Sequence, residues 1–322
     1  MAVTTTEVRP RVGAPTGRRR REGILFRIRR HWADYLYVAP ALVVMLAVIG
    51  YPIYYTVYLG FFSTPPSLAM EDKIWVGLDN YTRILKSDSF RDVTKNTMVW
   101  TFFSTLFSFI MGFAAALVVQ REFIGRGLVR GILLVPYVIS AVAAAYIWRW
   151  LYHSDSGLIS GALMDYGIID HRIVFLDSVD RVMPSLIVAN VWKEFPFVMI
   201  MLLAGLQTVP DQLHRAAMVD GAGPFSRFIH VTVPHLKGVI VITTLLLVIA
   251  NLNSFTMVWI MTGGGPAGAS DLWITQIYQL AFGRTRFGLA SSYSVILFVV
   301  MMTLGFFYVK ALTRTSGKRR PT

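Results

Sequence analysis

Two adjacent charges, Lys193 and Glu194, lie about ten residues into an apolar run at 184–206. A charge facing lipid at that depth costs roughly 2.5–3.5 kcal/mol. With a rise of ~1.5 Å per residue, either headgroup region is roughly 15 Å away, further than a lysine can comfortably snorkel. Both residues must therefore face protein or a water-filled cavity. Neighbouring helical residues point about 100° apart, so the two are expected to have different partners. Pro196 frees the carbonyl of Trp192 and can bend the helix there. Asn190 stands one turn before Glu194, and in another apolar run "IANLNSFTMVW" puts Asn251, Ser254 and Phe255 on one side by i, i+3, i+4 spacing. Amides and a hydroxyl beside an aromatic supply what a neutral sugar needs: donors and acceptors for its hydroxyls and a flat surface for its C–H face. The competing reading is structural. Asn251 and Ser254 then make interhelical hydrogen bonds worth about 0.6 kcal/mol on average, and Lys193 and Glu194 form an ion pair with a neighbouring subunit.

The elements that would hold these groups follow from composition. Of 322 residues, 55% are hydrophobic and 15% charged, which is too apolar for a soluble domain and too long for a single anchor. Six apolar spans can be read, at 35–62, 97–119, 132–152, 184–206, 239–261 and 287–312. The first is long enough to tilt, or to bend at Pro52. The fold class is therefore all-α, a polytopic bundle of six spans. A basic arm at 1–34 precedes a transmembrane domain at 35–312, and a basic tail occupies 313–322. With the N-terminus inside, the inner segments hold 20 Lys and Arg against 6 acids, and the outer loops hold 9 against 11. That asymmetry places both termini in the cytoplasm. It also makes the arginine run at 17–23 an orientation signal, so no nucleic-acid partner is needed to explain the net charge of +13. The run does not read as the start of a cleaved signal peptide, because the following apolar stretch is too long and no small-residue cleavage site follows.

No cysteine is present, so disulfides and thiolate metal sites do not arise. The six histidines are scattered, and no nucleophile–base arrangement stands out. Neither a metal nor an enzymatic role is expected. Arg149, between Trp148 and Trp150, reads as an interfacial anchor. The outer segments 63–96, 153–183 and 262–286 are candidate landing sites for a binding protein, and "TGGGPAGAS" within the last reads as a turn without regular structure.

One polar insert interrupts this pattern, "QLHRAAMVDGAGPFSRFIHVTVP" at 212–234. Asp211 can cap a short helix to about Val219, Gly221 suits the left-handed position that ends it, and Pro224 can open a second helix. Leu213, Ala216 and Ala217 share one face; Phe225, Phe228 and Ile229 share another. Small alanines permit close approach, and Phe225 and Phe228 can fill pockets on a partner. The loop at 207–238 is thus either a connector resting on lipid or a docking element for a cytoplasmic partner.

The stretch "AAMVDGAGPFSRFIHVTVP" resembles the EAA loop of membrane-spanning subunits of binding-protein-dependent ABC importers. Ala216, Ala217, Gly221, Val231 and Pro234 fill its signature places, Asp220, Ala222 and Gly223 match its extended form, and Arg215 replaces its usual Glu. "WVGLDNYTRIL", "RGILLVPYVIS", "WKEFPFVMIMLLAGLQTVP" and "TGGGPAGAS" extend the resemblance to sugar permeases of the maltose type; the actinobacterial trehalose system is also similar. The resemblance implies a bacterial inner-membrane protein that works with a second homologous permease, two ATPase subunits and an extracytoplasmic sugar-binding protein or lipoprotein, surrounded by membrane lipid. It places Asn190, Glu194, Asn251 and Ser254 at sugar-contacting positions, with Glu194 standing where the maltose permease has Gly. ATP and Mg would be held by the ATPase subunits, since this chain has no G-x-x-x-x-G-K-[ST] loop. The alternative is an ion-coupled secondary transporter acting without an ATPase; it would leave the polar insert without a role and has Glu194 as its sole intramembrane carboxylate.

Overall fold

The computed structural model describes residues 32–65 and 72–316. The arginine run at 17–23 and most of the basic arm and tail lie outside them. The described residues fall into two compact units divided between Tyr54 and Tyr55. Up to and across that division, α1 (Trp32–Met45) passes through a π-turn (Leu46–Gly50) into α2 (Tyr51–Leu59). Pro52 has no N–H to give the preceding turn, and the helix widens there.

In the second unit, a two-residue hairpin (β1, Phe62–Ser63; β2, Ile74–Trp75) precedes the short helix α3 (Asp79–Lys86). The helix α4 (Asp88–Gln120) has 33 residues. It starts well ahead of the expected second span at 97–119 and runs through it. Ser87 caps it, its hydroxyl accepting from the Phe90 amide at 3.2 Å. At ~1.5 Å per residue such a helix is roughly 50 Å long, against ~30 Å of hydrocarbon, so its ends stand clear of the membrane core.

The expected third span is not one helix. α5 (Arg126–Val138) and α6 (Ala141–Leu151) meet at a 95° bend. The cause is local: Ile139 and Ser140 are extended, and the Ser140 hydroxyl accepts from the Ala143 amide at 3.2 Å, starting a new helix. The short helix α7 (Leu158–Asp165) follows, then α8 (Val179–Leu206). The hairpin helices α9 (Asp211–Val219) and α10 (Pro224–Arg227) lead through a π-turn into α11 (Val233–Leu252). After a break come α12 (Thr256–Thr262), α13 (Trp273–Tyr278) and α14 (Phe287–Ser316). Among the described residues five helices are long and apolar enough to cross a membrane, or six if the bent pair counts as one span.

The core centres on α8. Its apolar window is 61% buried, against 33% or less for the other candidate spans of this unit. Two clusters line it: Trp100, Val182, Leu186, Ala189 and Val258 on one side, and Ala116, Val198, Leu202 and Leu236 on the other. α4 comes close to α8 at Gly112, where a Cβ would lie 2.5 Å from the Val198 Cβ and 2.6 Å from the Phe195 carbonyl oxygen. Small residues at such crossings are how membrane helices gain packing without a hydrophobic drive between them.

Two outer features gain detail. Arg149 is exposed, and its Nη1 donates to the Ile260 carbonyl at 3.0 Å, satisfying an end of α12. The segment 263–272 is irregular but tightly bonded. Ser270 Oγ donates to the Gly265 carbonyl at 2.6 Å, and Asp271 Oδ1 accepts from Thr275 Oγ1 at 2.7 Å and Gln279 Nε2 at 3.3 Å. Gly264, at φ +91°, presses so close that a Cβ would sit 2.5 Å from that same Oδ1. Burial pushes the Asp271 carboxyl above its ordinary range, with the Thr275 bond and nearby Arg284 pulling partly back.

Two outcomes are expected. Gly112→Leu should lower the thermal unfolding temperature of the purified protein by the equivalent of at least about 1–3 kcal/mol, because α4 and α8 have no room to separate. A carboxyl raised on folding stabilises the protein below its unfolded value, and that contribution is lost as pH rises through the folded one. Asp271→Asn, which keeps the acceptor and removes the charge, should therefore unfold at a higher temperature than the parent at pH 7.5. The gap should close as pH falls towards 4 in matched melting curves.

Candidate functional site

The polar residues of α8 and α11 meet across α4. Asn190 Nδ2 donates to Asn251 Oδ1 at 2.8 Å, and Asn251 Nδ2 is shared between Glu194 Oε2 at 3.2 Å and Thr105 Oγ1 at 3.3 Å. Trp100 Nε1 donates to the Asn251 carbonyl at 3.1 Å. Asn251 is completely buried. In lipid surroundings each of these groups must be satisfied from within the protein, and the network does so.

The helix ends at this knot. Asn253 leaves α-helical geometry, its side chain donating back to the Ile249 carbonyl at 2.9 Å, and the Ser254 amide donates to the Asn251 carbonyl at 3.2 Å. The single face expected for Asn251, Ser254 and Phe255 is therefore not formed, because the period of 3.6 residues stops at Leu252. Asn251 points into the bundle, whereas Asn253, Ser254, Phe255 and Thr256 turn towards a cavity of about 260 Å³.

That cavity is closed on its other sides by Asn190, Lys193, Glu194 and Tyr137. Lys193 forms no ion pair with Glu194 or any other described residue. Its Nζ donates to the Pro136 and Tyr137 carbonyls at 3.2 and 3.1 Å and lies 5.7 Å from the Tyr137 ring centroid. These carbonyls are at the C-terminal end of α5, where the bend leaves them unpaired and where a cation is favoured by the helix dipole. Lys193 thus holds the broken span in place. The cavity wall offers amide and hydroxyl donors and acceptors, one carboxylate, one ammonium and two aromatic rings, an inventory suited to a small hydroxylated solute.

Two larger hollows, each about 670 Å³, differ in chemistry. One runs between α4, α11 and α14, the other between α4 and α8. Their walls are almost wholly apolar and suit lipid tails or a neighbouring helix. Sequence reasoning missed Tyr137, Asn253, Thr256, Trp100 and Thr105. Asn253 stands in plain view in "NLNS", but unbroken helical spacing would set it about 200° from Asn251.

The polar insert forms a helical hairpin. The Gly221 amide donates to Met218 O at 3.1 Å and the Ala222 amide to Ala217 O at 2.9 Å, with Gly221 at φ +79°, so a Schellman turn ends α9. Asp211 does not cap; Pro210 occupies that position and Asp211 is the first helical residue, where its charge meets the helix dipole. No residue of α9 is buried, and Arg215 forms no ion pair with described residues. Ala216, Asp220, Gly223 and Pro234 are exposed, and Ala217 and Ala222 are half-buried. Phe225 is 75% exposed. Phe228 instead turns inward onto Phe113, with ring centroids 5.4 Å apart, so the two phenylalanines do not share a free face.

A multi-span helical bundle with a polar break at its centre and a bare hairpin at one end defines a membrane subunit of a solute transport system. The chain belongs to the family of binding-protein-dependent transport system inner membrane components, whose profile matches residues 104–320. The trehalose/maltose transport system permease protein MalF of Thermococcus litoralis is 33% identical over 279 residues, covering 86% of this chain and 92% of that protein. The trehalose transport system permease protein SugA of Mycobacterium tuberculosis is 34% identical over 281 residues, covering 86% and 87%. In structure, a bacterial ABC transporter involved in import of the acidic polysaccharide alginate superposes with a TM-score of 0.76 at 24% identity, covering 90% of this chain and 98% of the matched one. This chain is thus a multi-pass permease with the fold of ABC importers.

Asn251→Leu and Lys193→Met should each destabilise the purified protein by about 1–3 kcal/mol, the cost of stranding buried hydrogen-bonding partners. Ser254→Ala, on the cavity wall, should remain within about 0.5 kcal/mol of the parent. Thermal unfolding of the three variants side by side checks this ordering.

Proposed function

We propose that this chain is one of two homologous permease subunits of an ATP-driven importer for a neutral sugar, with a disaccharide such as trehalose or maltose favoured. The reading is carried by one observation: a helix with no buried residue, locked by a Schellman turn and followed by an exposed Phe225, at the end of a bundle whose centre is polar. A soluble partner at the inner membrane face is what such a hairpin fits. The charge asymmetry of the loops supports that side, with both termini in the cytoplasm.

In this mechanism two ATPase subunits bind ATP and Mg, and one of them grips the hairpin through the surface around Arg215, Ala216, Ala217, Asp220 and Phe225. Closure of the ATPase pair moves the hairpin. The bundle switches between outward-open and inward-open states because the grip differs in free energy between them. An extracytoplasmic sugar-binding protein or lipoprotein delivers the cargo to the outer loops. Asn190, Glu194 and Ser254 then meet it in the central cavity, while Asn251 holds Asn190 and Glu194 in place from behind. The two relatives, named for trehalose and maltose transport, support the choice of cargo.

Reconstitution of the complete assembly and measurement of ATP-dependent trehalose and maltose uptake tests the reading. Gly221→Leu should reduce uptake at least about tenfold, equivalent to ~1.4 kcal/mol of lost coupling, with the affinity of the binding protein for sugar unchanged. Nothing lies within 4 Å of a Cβ placed at Gly221, so the loss would come from the left-handed backbone and the partner surface rather than a clash within this chain. Undiminished uptake in Gly221→Leu, or sugar transport by this chain with no other polypeptide, would sink the proposal.

A further inference from the structure

A cluster of rings adjoins the central cavity. Phe255 lines the cavity and stacks on Trp259, with centroids 5.5 Å apart and planes 16° from parallel. Tyr278 meets both, at 4.9 Å from Phe255 and 4.7 Å from Trp259. Phe282 follows 5.0 Å beyond Tyr278 and is 68% exposed. The helix α13 runs into a π-turn at Gln279–Gly283, which places Phe282 beside Tyr278; such wide turns recur at functional sites. Phe255, Trp259 and Tyr278 are half-buried. Neither the Trp259 indole N–H nor the Tyr278 hydroxyl hydrogen-bonds to any described residue. Partly exposed rings with unpaired polar edges offer what a pyranose takes: apolar surface for its C–H groups and a partner for a hydroxyl.

We infer that Phe255, Trp259, Tyr278 and Phe282 form an aromatic track along which the sugar passes from the outer surface to the central cavity. This rests on the proposed sugar import, and names the path and the residues that set affinity on it. Stacking tolerates sliding, because every pyranose presents a C–H face and no single geometry is required. Directional hydrogen bonds are reserved for the cavity, where Asn190, Glu194 and Ser254 stand.

The test uses the full transporter with its binding protein in proteoliposomes, with radiolabelled trehalose and maltose as probes. Trp259→Leu and Tyr278→Leu should raise the KM for uptake about tenfold, and Trp259→Phe and Tyr278→Phe by less than about threefold. Maximal rate and ATPase activity without sugar should be retained in all four. Since the chain has no cysteine of its own, Phe282→Cys gives a single reporter. Its modification by a maleimide should slow at least about threefold in saturating sugar, whereas Ile124→Cys, exposed away from the outer loops, should be unaffected. If the parent assembly moves neither sugar, the import reading falls and the track with it. If the parent is active but the leucine variants keep its KM and Phe282→Cys is not protected, the rings are a membrane-interface belt and the track alone is overturned. Equal losses in leucine and phenylalanine variants would overturn it too, marking a packing role.

Discussion

Hydrocarbon leaves no solvent to satisfy a stray polar atom, and the centre of this bundle is organised around that constraint. Asn251 meets it by spending its whole amide on three neighbours, Asn190, Glu194 and Thr105, while its backbone carbonyl receives Trp100 and the Ser254 amide. This fully saturated residue allows the chain to stop being helical directly afterwards. The unwound Asn253–Phe255 segment then presents its polar groups to a cavity instead of to lipid. The bend at Ile139–Ser140 is handled the same way, with Lys193 supplying the donor that the end of α5 lacks. Two interruptions of helix, each compensated by a side chain of α8 or α11, face one another across a single small space.

How much of this is legible in the sequence depends on how local the cause is. The hairpin could be read because Gly221 and Pro224 act on their immediate neighbours, and the turn that forms there is governed by backbone geometry at one glycine. The membrane-spanning class could be read from the lengths of apolar runs. Lys193 and Glu194 announced themselves by cost alone, since no lipid-facing arrangement could accommodate them.

The misreadings share a different cause. Pro136 and Ser140 sit in an apolar run long enough to read as a span, so the 95° turn between α5 and α6 is invisible to hydropathy. Helical spacing put Asn251, Ser254 and Phe255 together because it assumes the helix continues, and one partner at the break, the Trp100 indole on the Asn251 carbonyl, lies more than a hundred residues away in the chain. The acceptor of Arg149, the Ile260 carbonyl, depends on how α6 packs against α12, which no local pattern shows. Asp211 had the right chemistry for a cap but stands one residue late.

The uninterrupted length of α4 has a mechanical meaning. Phe113 on this rod touches Phe228 just past the hairpin, and Trp100 on the same rod holds the carbonyl at the helix break, ~20 Å away at 1.5 Å per residue. No proline lies between Asp88 and Gln120, so the rod has no such hinge at which to absorb a push. A displacement at its lower contact therefore arrives at the upper one nearly undiminished, and the weakest element there, three unwound residues, is the one that must yield.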